Sequence, residues 1–113
     1  MKRKVQVWLQ DIAESITIIE KHVHGVSREE FFNNVTAQDA VIRRLEVIGE
    51  AAKNVPDEFR EKHPDITWKE IAGLRDVLIH GYFGVKMNRI WDVIQDDLPD
   101  LKRKVGALLD NVE

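Results

Sequence analysis

The chain has 113 residues, 43% hydrophobic and 33% charged, with a formal net charge of −3 and no cysteine. That is enough chain for a single domain, expected to span 1–113, with one core. The lack of cysteine excludes disulfides and thiolate metal sites, and the net charge argues against the broad basic footprint of a non-specific nucleic-acid binder while leaving room for a local basic site. No apolar run approaches the ~18 residues of a membrane span. After the basic Met1-Lys2-Arg3-Lys4, the polar Gln6, Gln10 and Asp11 come too early for a signal peptide, so a cytoplasmic location is expected.

The spacing predicts a first helix from about Lys4 to His24. Val5, Leu9, Ile12, Ile16, Ile19 and Val23 alternate in steps of four and three, a heptad seam, and Gly25 is its stop. Ser27 with Glu30 has the form of a capping box ahead of a short helix carrying Phe31 and Phe32. Thr36 is the expected cap of a third helix over Ala37 to Asn54, whose Val41, Leu45, Ile48, Ala52 and Val55 repeat the same alternation. Gly49, Ala51 and Ala52 are small enough for another helix to approach closely there. Pro56 opens a short turn through Phe59, which Pro64 ends. His63, just before that proline, is expected at the surface.

A second box, Thr67 with Glu70, precedes a helix predicted over Trp68 to about His80, with Trp68, Ile71, Leu74 and Leu78 on its apolar face and Gly81 and Gly84 as stops. The last helix is expected from about Val85 to Asn111. Met87, Trp91, Ile94, Leu98, Leu101, Val105, Leu108 and Val112 form its seam, with a kink or break near Gln95 to Leu98 because Pro99 sits inside it. No segment alternates with period two. The predicted fold is an all-α, antiparallel up-and-down bundle of about four main helices plus short ones.

One stretch breaks the pattern. In Arg75-Asp76-Val77-Leu78-Ile79-His80-Gly81-Tyr82, polar groups interrupt an apolar segment without looking like caps or surface. Arginine donates paired hydrogen bonds to phosphate, and histidine gains or loses a proton near neutral pH. The set suits cleavage of RNA by its own 2′-hydroxyl: histidine moves the proton and arginine stabilises the charge on the phosphate. No metal or other cofactor is implied. Arg75 and His80 are five residues apart, about 140° around a regular helix, so one helix cannot aim both at the same atom. Either the helix ends and His80 turns, or two copies of the motif face each other across a two-fold axis, which would also gather basic charge. By spacing alone the signal is weak, and Arg75 is better read as a cation paired with a bundle carboxylate and His80 as a cap on helix carbonyls. Asp76 can orient either one; Tyr82 can stack on a base or bond a phosphate.

Other candidates read more plainly. His22 and His24 face different ways on a helix. Asp92 and Asp96 share a face but suit solvated surface. Trp8, Trp68 and Trp91 lie on seams and suit core packing. Lys2-Arg3-Lys4 and Lys102-Arg103-Lys104 suit solvated faces more than an RNA track.

Arg75, four residues, then His80-Gly81-Tyr82 resembles the signature of the HepT toxins of the HEPN superfamily. The likeness extends over nearly the whole chain, through Thr36-Ala37-Gln38-Asp39-Ala40-Val41-Ile42-Arg43, Ile48-Gly49-Glu50-Ala51-Ala52-Lys53, Ile71-Ala72-Gly73-Leu74-Arg75-Asp76, Leu78-Ile79-His80-Gly81-Tyr82-Phe83-Gly84 and Asp97-Leu98-Pro99. The resemblance implies a helical-bundle homodimer and a metal-independent ribonuclease, the toxin of a type VII toxin–antitoxin pair. Arg75 and His80 fall on the family's catalytic positions, and Asp76 falls where the superfamily often has a polar residue. Tyr82 falls on the tyrosine that MntA, the nucleotidyltransferase antitoxin, modifies with AMP. The competing expectation is a non-catalytic helical dimer acting as the binding subunit of a nucleotidyltransferase.

Overall fold

A computed structural model of the chain describes residues 4–80 and 87–111, with Val77, Ile79 and His80 described by backbone alone. The expected start near Val85 and the stops at Gly81 and Gly84 lie outside the described residues. Four long helices are present among those described: α1 (Val5–Val23), α3 (Val35–Asn54), α5 (Trp68–His80) and α7 (Leu98–Asn111). Shorter helices α2 (Arg28–Phe32), α4 (Asp57–Lys62) and α6 (Met87–Asp92) lie between them, and a π-helical turn over Val93–Asp97 joins α6 to α7. The fold is an all-α helical bundle, as expected.

The predicted seams are the core. Leu9, Ile12, Ile16 and Ile19 of α1, and Val41, Leu45, Ile48 and Ala52 of α3, are fully excluded from solvent. α3 is the central element, packed against α1 on one side and α5 on the other. α1 stops where Gly25 takes φ 71°, a left-handed conformation that glycine adopts without steric cost. The Ser27 box forms in full: Ser27 Oγ accepts from the Glu30 N–H and Glu30 Oε1 accepts from the Ser27 N–H, both at 3.1 Å. These bonds to the Ser27 backbone and hydroxyl hold the Glu30 carboxyl below its ordinary range. Gln38 Nε2 then donates to the carbonyls of Phe31 and Phe32 and ties α2 to α3.

Three expectations are corrected. The cap of α3 is Asn34, not Thr36. Asn34 has an extended backbone and its Oδ1 accepts from the Ala37 N–H at 3.0 Å, so the helix starts at Val35 and Thr36 is already inside it. At the start of α5, no side-chain hydrogen bond links Thr67 to Glu70 among the described residues. Instead the Trp68 N–H donates to the Ile66 carbonyl and the Trp68 indole N–H donates to the His63 carbonyl, each at 2.9 Å. His63 is half-buried rather than exposed, its ring 4.6 Å from that of Phe59.

The break before Pro99 takes the form of the π turn. The Leu98 N–H donates to the Val93 carbonyl, five residues back. Proline has no N–H to return to Gln95, and the wider turn lets the chain continue past it. The wider turn also shifts the seam. Ile90 is the buried residue of α6, whereas Met87 and Trp91 are half-buried.

Candidate active site

The site begins with an absent side chain. α3 meets α5 at Gly49, where an added Cβ would lie 2.8 Å from Arg75 Cβ and 2.9 Å from the Arg75 backbone nitrogen. Nothing larger than glycine fits without moving one helix, so the expected close approach is real and its partner is Arg75 itself.

Glu50, the next residue of α3, meets the Arg75 side chain. Its Oε2 lies 2.5 Å from Arg75 Nε. Its Oε1 accepts from Asn54 Nδ2 at 3.1 Å, and that nitrogen also donates to the Glu50 carbonyl at 2.8 Å. Asp76 Oδ1 stands 3.5 Å from Arg75 Nη1, at the outer limit of a hydrogen bond. The guanidinium is therefore held firmly at Nε and loosely at Nη1. Its side chain remains 31% exposed, enough to meet a ligand.

Arg75 faces a groove of ≈ 310 Å³. Trp8 and Asp11 of α1 line one side, and Arg43, Glu46 and Glu50 of α3 the other. Arg43 and Glu46 pair at 3.7 Å. The lining thus holds two guanidiniums and three carboxylates, so within one chain it is not the basic cleft expected of the paired motif. Trp8 packs on the core as its seam position predicts and also forms a wall of the groove.

Of the expected site residues, Arg75 and Asp76 are together. His80 is the final residue of α5, five positions further along an unbroken helix, and its side chain is outside the description. Tyr82 lies outside the described residues. The lysine-arginine run of α7 is engaged in ion pairs: Lys102 Nζ with Glu20 Oε1 at 2.7 Å, Arg103 Nη2 with Asp100 Oδ1 at 2.6 Å and Lys104 Nζ with Asp100 Oδ2 at 3.0 Å. That agrees with a solvated face.

Sequence reasoning missed Glu50, Asp11, Trp8, Arg43 and Glu46 as groove residues. A signal was present: Arg43, Glu46 and Glu50 follow one another at steps of three and four, so they share one face of α3.

The chain is thus an all-α helical bundle with an arginine seated in a groove, on a helix that ends in histidine. Comparison with known proteins defines the family: the profile described as Ribonuclease HepT-like matches residues 12–108, and the chain belongs to that family. It is 47% identical over 108 residues to a Thermococcus cleftensis protein named "Probable ribonuclease HepT", covering 96% of this chain and 98% of that one. It is 44% identical over all 113 residues to a Methanocaldococcus jannaschii protein named "Gamma-glutamylcyclotransferase and putative RNase", of which it spans 51%. No solved structure gives a significant match.

Proposed function

We propose that this protein is a metal-independent endoribonuclease, the toxin of a type VII toxin–antitoxin pair, acting in the cytoplasm as a homodimer. The observation that carries the reading is the seating of Arg75: a partly exposed guanidinium, anchored at Nε, facing a groove from a helix that continues to His80. In the reaction the RNA 2′-hydroxyl attacks the adjacent phosphorus. His80 takes the hydroxyl proton or returns one to the departing 5′-oxygen. Arg75 donates hydrogen bonds to the non-bridging oxygens as their charge grows. The products are a 2′,3′-cyclic phosphate and a free 5′-hydroxyl, so atoms and charge balance without a metal. Asp76 supports the guanidinium from beside it.

α5 is continuous through both residues, so the helical phase of about 140° between Arg75 and His80 favours the two-copy arrangement. One subunit supplies a guanidinium and its twin an imidazole. With carboxylates outnumbering guanidiniums in the groove, RNA is held by a few directed bonds rather than a broad field, and its binding falls only shallowly with salt. The nucleotidyltransferase partner, an MntA-like antitoxin, transfers AMP from ATP to the Tyr82 phenol and releases pyrophosphate. This places bulk and negative charge two residues beyond His80.

The carboxylate surplus favours a second reading, a non-catalytic dimer that serves a nucleotidyltransferase as its binding subunit. One assay separates them. Purified protein incubated with RNA in EDTA is expected to leave 2′,3′-cyclic phosphate ends, and His80→Ala or Arg75→Ala is expected to lower the rate by at least about 100-fold with the fold intact by circular dichroism. A wild-type dimer that leaves RNA whole supports the second reading. A fully active His80→Ala protein removes His80 from the chemistry.

A further inference from the structure

We propose that Gly49 and Glu50 form a built seat for Arg75, and that Glu50 is a positioning residue for the reaction. The inference rests on the ribonuclease reading and deepens it. An arginine side chain has four rotatable bonds and a solvated head, so an unrestrained Arg75 would sample many placements of its guanidinium. Three contacts remove that freedom in sequence. Gly49 lets the α3 backbone come close enough to fix where the Arg75 Cα and Cβ stand. Glu50 Oε2 takes the Nε–H. Asn54 Nδ2 holds Glu50 Oε1 and steadies the carboxylate from behind.

The choice of Nε matters chemically. A guanidinium has five N–H donors in a fixed plane. A carboxylate on Nε fixes the plane while engaging the edge of the fork nearest the chain, so the Nη nitrogens at the tip are the part presented to a phosphate. A carboxylate spanning both Nη nitrogens would block that edge and compete directly with RNA. Glu50 therefore orients without occupying the phosphate-binding edge.

The same carboxylate carries a cost in binding. It stands beside the position a phosphate would take and repels it, so its removal should loosen the guanidinium while relieving a repulsion. That gives a signature a merely structural role lacks: turnover falls while KM does not rise. The pair is partly exposed, 31% at Arg75 and 47% at Glu50, so its loss should scarcely affect folding, because water screens such pairs.

The test uses the full chain in two arms. In 15N-labelled protein, the Arg75 Nε–H resonance, assigned by its disappearance in Arg75→Lys, is expected to exchange slowly with water. It should exchange fast in Glu50→Ala and slowly again in Glu50→Gln, whose amide oxygen still accepts. In RNA cleavage, Glu50→Ala is expected to lower kcat about 10- to 100-fold with KM equal or lower, and Glu50→Gln to recover most of the loss. An Arg75 Nε–H unchanged in Glu50→Ala overturns the seat. So does a Glu50→Ala kcat within twofold of wild type, or a fall that only tracks loss of folded protein. If the wild-type protein cleaves no RNA, the ribonuclease reading fails by itself and the resonance arm still decides whether Glu50 holds Arg75.

Discussion

On one side of α5, Arg75 reaches across a near backbone contact to Glu50 of α3. On the other, Glu70, Ile71 and Leu74 look over a cleft of ≈ 330 Å³ toward Asp96 and Asp97 of the π turn and Asp100 of α7. The two flanks have similar volume, and the second is the more acidic, with five carboxylates to two cations against three to two; they also order their charges differently. Asp100 pairs three and four residues along its own helix, with Arg103 and Lys104. Such pairs form on any exposed helix of that sequence and constrain little beyond it. The Arg75–Glu50 pair joins residues 25 positions apart and exists only because Gly49 lets two helices meet. A charge pair that depends on tertiary contact fixes a geometry; one that depends on helical spacing decorates a surface. By this measure the Arg75 flank has the more fixed geometry of the two, as the proposed chemistry requires.

The largest effect that can break this comparison is expected from Gly49→Ala. The new Cβ meets backbone and Cβ atoms of Arg75 rather than a yielding side-chain tip, so α5 must move. Overpacking of this kind costs about 1–3 kcal/mol, and a displacement near 1 Å at a reacting group costs about 100-fold in rate. Cleavage should therefore fall about 100-fold at temperatures where circular dichroism still reports folded protein. Gly73 lies on the same α5 with nothing among the described residues within 4 Å of an added Cβ, so Gly73→Ala should leave helix packing unchanged. If Gly49→Ala cleaves RNA like wild type, the close contact has no bearing on the chemistry.

The divide between near and distant interactions also governs what the sequence revealed. The α1 and α3 seams, the stop at Gly25, the Ser27 box, the extent of α5 and the break ahead of Pro99 each depend on residues within about one or two turns, and each was legible. The slip of the α6 seam was not, because a heptad count carries through a π turn that adds a residue. The small residues at 49, 51 and 52 announced a close helix without naming its partner. Arg75, Asp76, His80 and Tyr82 stood out as a chemical set, but Glu50 looked like one more surface carboxylate. Only the tertiary contact brings it to Arg75. Asn34 and Thr36 are both good cap residues two positions apart, and choosing between them required the backbone angles.

That last choice supports a smaller prediction. Asn34→Ala removes the acceptor for the Ala37 N–H at the head of the central helix. A lost cap of this kind costs about 1 kcal/mol, which lowers the melting temperature by roughly 4 °C in a chain of this size. Thr36→Ala should shift it by much less, since residues inside a helix gain from alanine. Thermal unfolding of the two variants side by side checks the assignment, and a larger loss in Thr36→Ala would return the cap to Thr36.

The smallest effect belongs to the opposite flank of α5. Hydrogen bonds from Lys104, then Arg103, hold the Asp100 carboxyl below the ordinary carboxylate range. Its folded value is thus lower than its unfolded value, near 3.9. The stabilisation is complete above the unfolded value and is lost as pH falls through the folded one. Asp100 also sits in the first turn of α7, where the helix dipole favours its negative charge. Asp100→Asn should therefore leave stability at pH 7 slightly reduced and flatten the decline between about pH 5 and pH 3. Because the carboxylate is exposed and its partners lie on its own helix, the flattening should be slight, and cleavage of RNA at neutral pH should be untouched. Paired thermal melts across that range, with cleavage measured at pH 7, check both halves. A clear loss of activity in Asp100→Asn would mean that the acidic cleft shares in the reaction, and the division between the two flanks of α5 would have to be redrawn.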